Sequence, residues 1–389
     1  MTYRVAIVAS HVIQYQDPFF RLLAAEPGID LTVLYCSRAG AEVYRDVDMQ
    51  TTLRWDIELL EGYRHRFLRN FGWNDGYTRA INPRVVREIL FGRYDAVIFF
   101  LGWGTITSLL GMAACRMSGT PFFLYGDSSF PPPVRTARDA IRAGFVRTIF
   151  GSASGFMVSG MLNGDYYRHY GGDPHRFFLL PWAIDNERFI TSSAFEPGER
   201  ETLRESHGIL ENDMAIVFSA KLVPRKDPMT LLRAVDAMQH RDRAVVVFLG
   251  NGALMDELRA FANERGLRVH FAGFINQTDL PKHYAMCDVF VLPSTYEPRG
   301  AVINEAMACG LPVIVTDRCG SIGDIVLEDE NAFIYPAGDA RALARHLDRL
   351  AANPDLRAQM GDRSREIIAT WDYEAGVEGV VEALRSVTS

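Results

Sequence analysis

Two carboxylates, Glu297 and Glu305, lie eight positions apart within VFVLPSTYEPRGAVINEAMACGLPV, the stretch from Val289 to Val313, with Gly300 between them. The apolar run Val289–Leu292 reads as a buried strand that Pro293-Ser294-Thr295 breaks. A helical pattern follows from Ala301 to Ala308 and stops at Gly310-Leu311-Pro312. Strand, turn and helix N-terminus in succession hold anions, because the first N–H groups of a helix lack intrahelical acceptors and the macrodipole is positive there. Cations gather upstream: Lys221, Arg225 and Lys226, in SAKLVPRKDP, follow the apolar run Ala215–Ser219. Gly250-Asn251-Gly252 follows Ala244–Leu249, and Gly273-Phe274 follows Val269–Phe271. These strand ends suit a ligand with a diphosphate, a ribose and a further polyol. The phosphates take Lys221, Lys226 and the helix amides, and the ribose takes Glu305, since a carboxylate accepts hydrogen bonds from vicinal hydroxyls.

The elements that must position these groups recur along the chain. Arg4–Ala9, Asp30–Cys36, Asp95–Leu101 and Pro121–Tyr125 are short apolar runs that read as strands, separated by helical patterns at Asp17–Ala25, Pro83–Leu90 and Ile106–Met117. Ser37 to Asn74 is polar, aromatic and irregular. The polar stretch after Phe189, through Glu201, reads as a linker, and the alternation of strand and helix then restarts. The expectation is two α/β domains with parallel sheets, with a crevice where strand C-terminal ends meet. The first covers 1–187 and is completed by 372–389; the second covers 188–371.

With these residues in view, the chain resembles the retaining family 4 glycosyltransferases of GT-B fold. The carriers of the likeness are E-x7-E at Glu297 and Glu305 followed by AMACGLPVI, together with SAKLVPRKDP, LGNGALMDEL, LPWAIDNERF and the terminal WDYEAGVEGV. The resemblance implies two Rossmann-like domains facing across a cleft, with a C-terminal helix crossing back to the first. It further implies that Glu297 holds hydroxyls of a donor sugar and Glu305 the nucleotide ribose. Gly300, Ala301 and Val302 would offer backbone amides, Arg299 and the loops at Gly250, Gly252, Gly273 and Phe274 would complete the donor side, and Lys226 would stabilise the leaving diphosphate. Lys221 stands where the family usually has arginine, which keeps the charge and loses the fork. The likeness calls for a nucleotide diphosphate sugar as co-substrate, UDP favoured over GDP, with neither cofactor nor metal.

Two features depart from the family pattern. The first loop, SHVIQYQDP, lacks a glycine pair, and Gly126-Asp127-Ser128-Ser129 stands where the family carries a histidine. Asp127 is therefore a candidate for a donor or acceptor hydroxyl. His11, Gln14, Tyr15 and Gln16 are further acceptor-side candidates, with Trp103 as a platform for a sugar ring. The missing histidine also leaves open a catalytically silent nucleotide-sugar-binding partner subunit, and a nucleotide-sugar epimerase shares the architecture, although E-x7-E speaks against it.

Composition narrows the partners. A net charge of −7 over 389 residues argues against nucleic acid. The five cysteines are scattered without a CxxC pair, which predicts reduced thiols in a cytoplasmic protein, and the N-terminus has no signal-peptide pattern. Ala96 to Cys115 is uncharged, but Gly102-Trp103-Gly104-Thr105 interrupts it, so it reads as strand, turn and helix. Val134 to Phe150 carries Arg135, Arg138, Arg142 and Arg147, with Val134, Ile141, Phe145 and Ile149 able to face one way, a pattern compatible with peripheral contact at an anionic inner-membrane surface. Asp46-Val47-Asp48 mimics a metal-binding DxD, and its irregular surroundings predict that it lies far from the phosphate site. The resulting expectation is sugar transfer, with retention, to a saccharide or lipid-linked acceptor in bacterial polysaccharide or glycolipid assembly.

Overall fold

A computed structural model of the chain describes residues 2–72, 80–132 and 135–387. The contacts divide it into two units: Met1–Tyr44, Ile57–Trp182 and Asp372–Ser389 form the first, and Arg45–Asp56 with Ala183–Trp371 form the second. The division places residues 183–187 and 45–56 with the second unit, whereas the sequence reading kept both in the first.

In chain order the first half supplies strands β1 (Tyr3–Ala9), β2 (Ile29–Tyr35), β3 (Tyr44–Asp46), β4 (Thr51–Leu53), β5 (Arg64–Phe67), β6 (Ala96–Phe99), β7 (Phe122–Tyr125), β8 (Gly155–Val158) and β9 (Phe177–Leu179). Seven of them build one parallel sheet in the order β5-β2-β1-β6-β7-β8-β9. Its central strands are buried on both faces, as near-continuous runs such as VAIVA and AVIF require. The sequence reading left 37–74 irregular and so missed β3, β4 and β5. The segment RHRF alternates charged and half-buried residues, and only pairing with β2 makes it a strand.

The second unit carries β10 (Met214–Ser219), β11 (Ala244–Leu249), β12 (Arg268–Gly273), β13 (Val289–Leu292), β14 (Val313–Thr316) and β15 (Ala332–Tyr335). They form a second parallel sheet in the order β12-β11-β10-β13-β14-β15. In both sheets the order reverses beside the first strand, between β1 and β6 and between β10 and β13. Ligands of open parallel sheets bind beyond the strand C-termini at such switch points. The stretch 189–201, expected as a linker, instead contains parts of two short polar helices, Asn186–Ser192 and Glu199–Ser206. Phe189 and Arg204 are the buried residues of these helices, too few for a helical period to be visible in sequence.

The helix Tyr373–Ser386 closes the first unit. Asp372 caps it by accepting the Ala375 amide at 2.9 Å, and the Tyr373 hydroxyl donates to the Tyr15 carbonyl at 2.6 Å. Val380, Ala383 and Leu384 enter the core. Two glycines allow the close approach: a Cβ at Gly376 would meet Leu180 Cδ1 at 2.8 Å, and one at Gly379 would collide with the Leu179 carbonyl of β9. Gly379→Ala should therefore cost about 1–3 kcal/mol by overpacking, seen as a lower urea midpoint, while the exposed neighbour change Glu378→Ala should leave it unmoved.

Candidate functional site

The second unit's switch point gathers the charged residues that the sequence singled out. Past β10 the chain passes Lys221 and turns through the 3-10 segment Pro224–Lys226. Past β11, Gly250 has φ +150, and a Cβ there would run into the Ala220 carbonyl; at Gly252 it would run into that of Leu222. Both glycines are thus required by backbone contact, and the loops join through Leu222 N to Asn251 O at 2.9 Å and Leu254 N to Leu222 O at 3.1 Å. Gly273, with φ +75, ends β12 and brings Phe274 next in line.

Lys226 and Glu297 form a buried ion pair, their side chains 12% and 8% exposed. The Ser294 hydroxyl donates to the same carboxylate oxygen at 3.3 Å, and an Arg225 guanidinium nitrogen stands 4.0 Å from it. The Glu297 backbone is fixed at both ends, its amide donating to the Arg318 carbonyl at 3.0 Å and its carbonyl accepting from Gly320 at 2.8 Å. Gly300 follows at φ +75 and opens the helix Ala301–Ala308, whose first amides, including those of Ala301 and Val302, have no intrahelical acceptor. One helical turn further, the Glu305 carboxylate is buried and accepts the Tyr284 hydroxyl at 2.8 Å. Burial pushes the Glu305 carboxyl up from 4.5 to about 7, against the lowering effects of the Tyr284 bond and the Arg188 charge.

Two expectations need correction. Arg299 was assigned to the donor side, but it is buried and spent inside the fold. Its guanidinium donates to the Gly320 carbonyl at 2.6 Å and pairs with Asp324 at 3.0 Å, which holds the 320–324 loop. Arg225 stays half exposed; it donates to the Tyr296 carbonyl at 3.0 Å, while its own carbonyl accepts the Thr295 amide at 2.9 Å. Asp46 and Asp48, placed far from the phosphate site by the sequence reading, both contact the Lys221 ammonium, at 2.9 and 3.2 Å.

Those aspartates belong to a hairpin. A connection of four residues between β3 and β4 forces the strands antiparallel. The segment meets the three loops of the candidate site in turn. Thr51 Oγ accepts Asn251 at 3.1 Å, the Arg54 carbonyl accepts Asn276 at 2.7 Å, Asp56 accepts the Thr278 amide at 3.2 Å, and Trp55 meets Phe274 edge-on at 6.0 Å. Sequence reasoning missed Ser294 and Tyr284 as well. Ser294 lies three positions before Glu297 and could have been suspected; Tyr284, on a separate helix, left no local signal.

In the first unit the acceptor-side candidates follow β1, β6 and β7, and those after β1 and β6 flank its switch point. His11 Nδ1 lies 2.9 Å from the Ser10 hydroxyl, and the Tyr15 ring packs on Trp182 at 5.6 Å. Gln14 is half-buried, whereas Gln16 is buried and closes the turn into the next helix, which takes it off the surface. One face of Trp103 meets the Arg142 guanidinium, 5.9 Å from the ring centroid. Asp127 is exposed, with the Ser129 hydroxyl donating to its carbonyl at 3.3 Å. The basic helix spans Ala137–Ser152, and Val134 lies outside the described residues. Ile149 turns inward with Ala143, Val146 and Phe150, so it does not share the face expected with Ile141 and Phe145. Ile141 and Phe145 are 74% and 48% exposed beside Arg138 and Arg142.

The raised Glu305 carboxyl carries a stability consequence. It binds its proton more tightly folded than unfolded, so its effect is neutral below about pH 4 and destabilising as pH rises toward and beyond 7. Glu305→Gln should remove a cost on the order of 3 kcal/mol at about pH 8 and nothing near about pH 4, read as urea midpoints across pH.

Comparison with known proteins agrees with this layout. Residues 199–367 match the family described as glycosyl transferases group 1. A GDP-mannose-dependent alpha-(1-6)-phosphatidylinositol monomannoside mannosyltransferase of Mycolicibacterium smegmatis is 31% identical over 217 residues, 53% of this chain and 55% of that protein. A D-inositol 3-phosphate glycosyltransferase of Xylanimonas cellulosilytica is 27% identical over 230 residues, 58% of this chain and 54% of that protein. The chain thus spans about half the length of the curated relatives it matches. Among solved structures, HepE of Anabaena in complex with UDP superposes with a TM-score of 0.74 at 19% identity, covering 99% of this chain and 100% of that one. WaaG, a glycosyltransferase involved in lipopolysaccharide biosynthesis, gives 0.68 at 19% identity, covering 99% and 100%. Residues 199–367 are thus similar to the glycosyl transferases group 1, and the chain has a GT-B fold.

Proposed function

We propose that this protein transfers a sugar from a nucleotide diphosphate sugar, with retention, to a saccharide or lipid-linked acceptor in polysaccharide or glycolipid assembly. The observation that carries the reading is the buried Lys226–Glu297 pair at the mouth of the helix Ala301–Ala308, with the buried Glu305 one turn along it. A fixed cation, a positive helix end and two carboxylates together match a diphosphate flanked by two polyols. In this reading Glu297 takes the donor sugar's hydroxyls, and Glu305 takes the ribose. Gly300, Ala301 and Val302 present amides, while Lys226 and Lys221 meet the negative charge that develops on the leaving diphosphate. A diphosphate would compete with Asp46 and Asp48 for Lys221. Gly250, Gly252, Gly273 and Phe274 line the nucleoside end. Asp127, His11, Gln14, Tyr15 and Trp103 serve the acceptor from the first unit.

We favour UDP as the nucleotide, and the UDP complex of HepE is consistent with that choice. GDP is the second reading, because the relative from Mycolicibacterium smegmatis is named for GDP-mannose. Incubation with a panel of UDP- and GDP-sugars, followed by mass spectrometry, should reveal slow release of a free nucleoside diphosphate from one donor. Lys226→Ala should lower that turnover by on the order of 100-fold or more, the scale of losing one transition-state contact to developing charge. Glu305→Ala should mainly weaken nucleotide binding, as measured by calorimetry. Wild-type turnover in both variants would overturn the assignment.

We further propose that the exposed Ile141 and Phe145, with Arg135, Arg138, Arg142 and Arg147, rest on an anionic membrane face. No helix among the described residues is long and apolar enough to cross a membrane. Replacing the four arginines by alanine should abolish co-sedimentation with anionic vesicles, and unchanged sedimentation would refute the contact.

A further inference from the structure

The seven-stranded sheet has one face that changes character along its length. Toward the strand C-termini it buries Ala6, Val8, Leu34 and Cys36. The register sets Arg4 beside Asp30, Thr32 beside Arg64 and Leu34 beside Arg66. Since side chains alternate with period two, the face turns polar toward the strand N-termini and the β5 edge, at Arg4, Thr32, Arg64 and Arg66. The helix Arg84–Gly92 lies over this face, with Val85 and Ile89 turned into the core. A cavity of about 380 Å³ remains, lined by Arg4, Arg64, Arg66, Arg84 and Arg87 with Glu88 as the acid of its lining.

The charges there do not balance. Glu88, itself buried, bridges Arg66 at 2.8 Å and Arg84 at 3.2 Å. Asp30 pairs with Arg64 and stands 3.7 Å from Arg4. Two carboxylates thus face five guanidiniums, and Arg87 is exposed. The helix also brings its Gly92 end to the lining, but a helix terminus offers only about half a negative charge. A chain of net charge −7 has concentrated positive charge around one concavity.

We propose that this cavity binds a small phosphate monoester of the size of a sugar phosphate. Guanidinium forks match phosphate oxygens in pairs, and the Tyr94 hydroxyl in the lining, hydrogen-bonded to Thr32, adds a neutral donor. Burial, then the Glu88 charge, raises the Tyr94 phenol. The volume is at the small end of ligand sites, which excludes a whole nucleotide sugar. Along β1 the cavity lies at the Arg4 end and the His11 loop at the other, roughly 20 Å away for a seven-residue strand. The ligand therefore binds away from the His11 loop, and the proposal does not depend on the donor-site reading.

Calorimetry on the full chain tests it, with glucose 6-phosphate and inorganic phosphate as probes and glucose as the uncharged control. Saturable binding of at least one phosphate probe and none of glucose is expected. The exposed pair Arg64→Ala and Arg87→Ala, checked for an unchanged melting temperature, should weaken binding by about 100-fold, at about tenfold for each charge-assisted contact. Glu88→Gln should tighten it, and Lys226→Ala, in the other unit, should leave it unchanged. The site is refuted by equal binding in the double variant, by loss of binding in Lys226→Ala, or by the absence of saturable binding for both phosphate probes.

Discussion

The buried pair of Lys226 and Glu297 is the constraint on which the candidate site depends. Two charges with side chains 12% and 8% exposed have given up most of their water. Such pairs are on average no more stable than well-packed apolar residues of similar volume, yet losing one partner costs about 3–5 kcal/mol, because the other charge is stranded. The surroundings reflect that asymmetry. Ser294 donates to the carboxylate, Arg225 braces the Tyr296 carbonyl, and the backbone of Glu297 is bonded to Arg318 and Gly320. A fold that needed only stability would have little use for this arrangement; an anion-binding site needs a cation that cannot swing away.

Backbone contacts hold the pair in place beside these side chains. Gly250 and Gly252 let the loop after β11 press on the carbonyls of Ala220 and Leu222, so the segment leading to Lys226 is clamped before any ligand arrives. Gly300, in the left-handed region, turns the chain from Glu297 into the helix. Arg299, spent on Gly320 and Asp324, ties the same turn to the loop after β14. Rigidity of this kind places dipoles before they are needed, which is the condition for electrostatic stabilisation of developing charge.

Beside this frame stands the segment 45–56. A two-stranded hairpin has little stability of its own, so its position rests on the few contacts it makes with the loops of the second unit. Its two aspartates neutralise Lys221 with carboxylates that a phosphate could replace at similar geometry. Lys226 and Lys221 therefore differ in kind: the first is paired to a buried carboxylate in the turn after β13, the second to two aspartates of the hairpin.

Much of this was legible in the residues. Short β-branched runs between helical periods fixed two parallel sheets, because burial on both faces leaves no other pattern. Glu297, Gly300, Glu305, Lys226 and the glycine loops stood out because each follows a strand, and a strand's end faces the ligand side of its sheet. Other features depend on partners distant in sequence, and no local pattern encodes them. RHRF becomes β5 only against β2, and Arg299 is spent only because Asp324 and Gly320 reach it. Asp46 and Asp48 find Lys221 from 175 and 173 positions away. Local sequence determined which elements form and which ends carry charge, since propensity and period act over a few residues. Tertiary structure alone decided which charges are free, because pairing depends on distance in space.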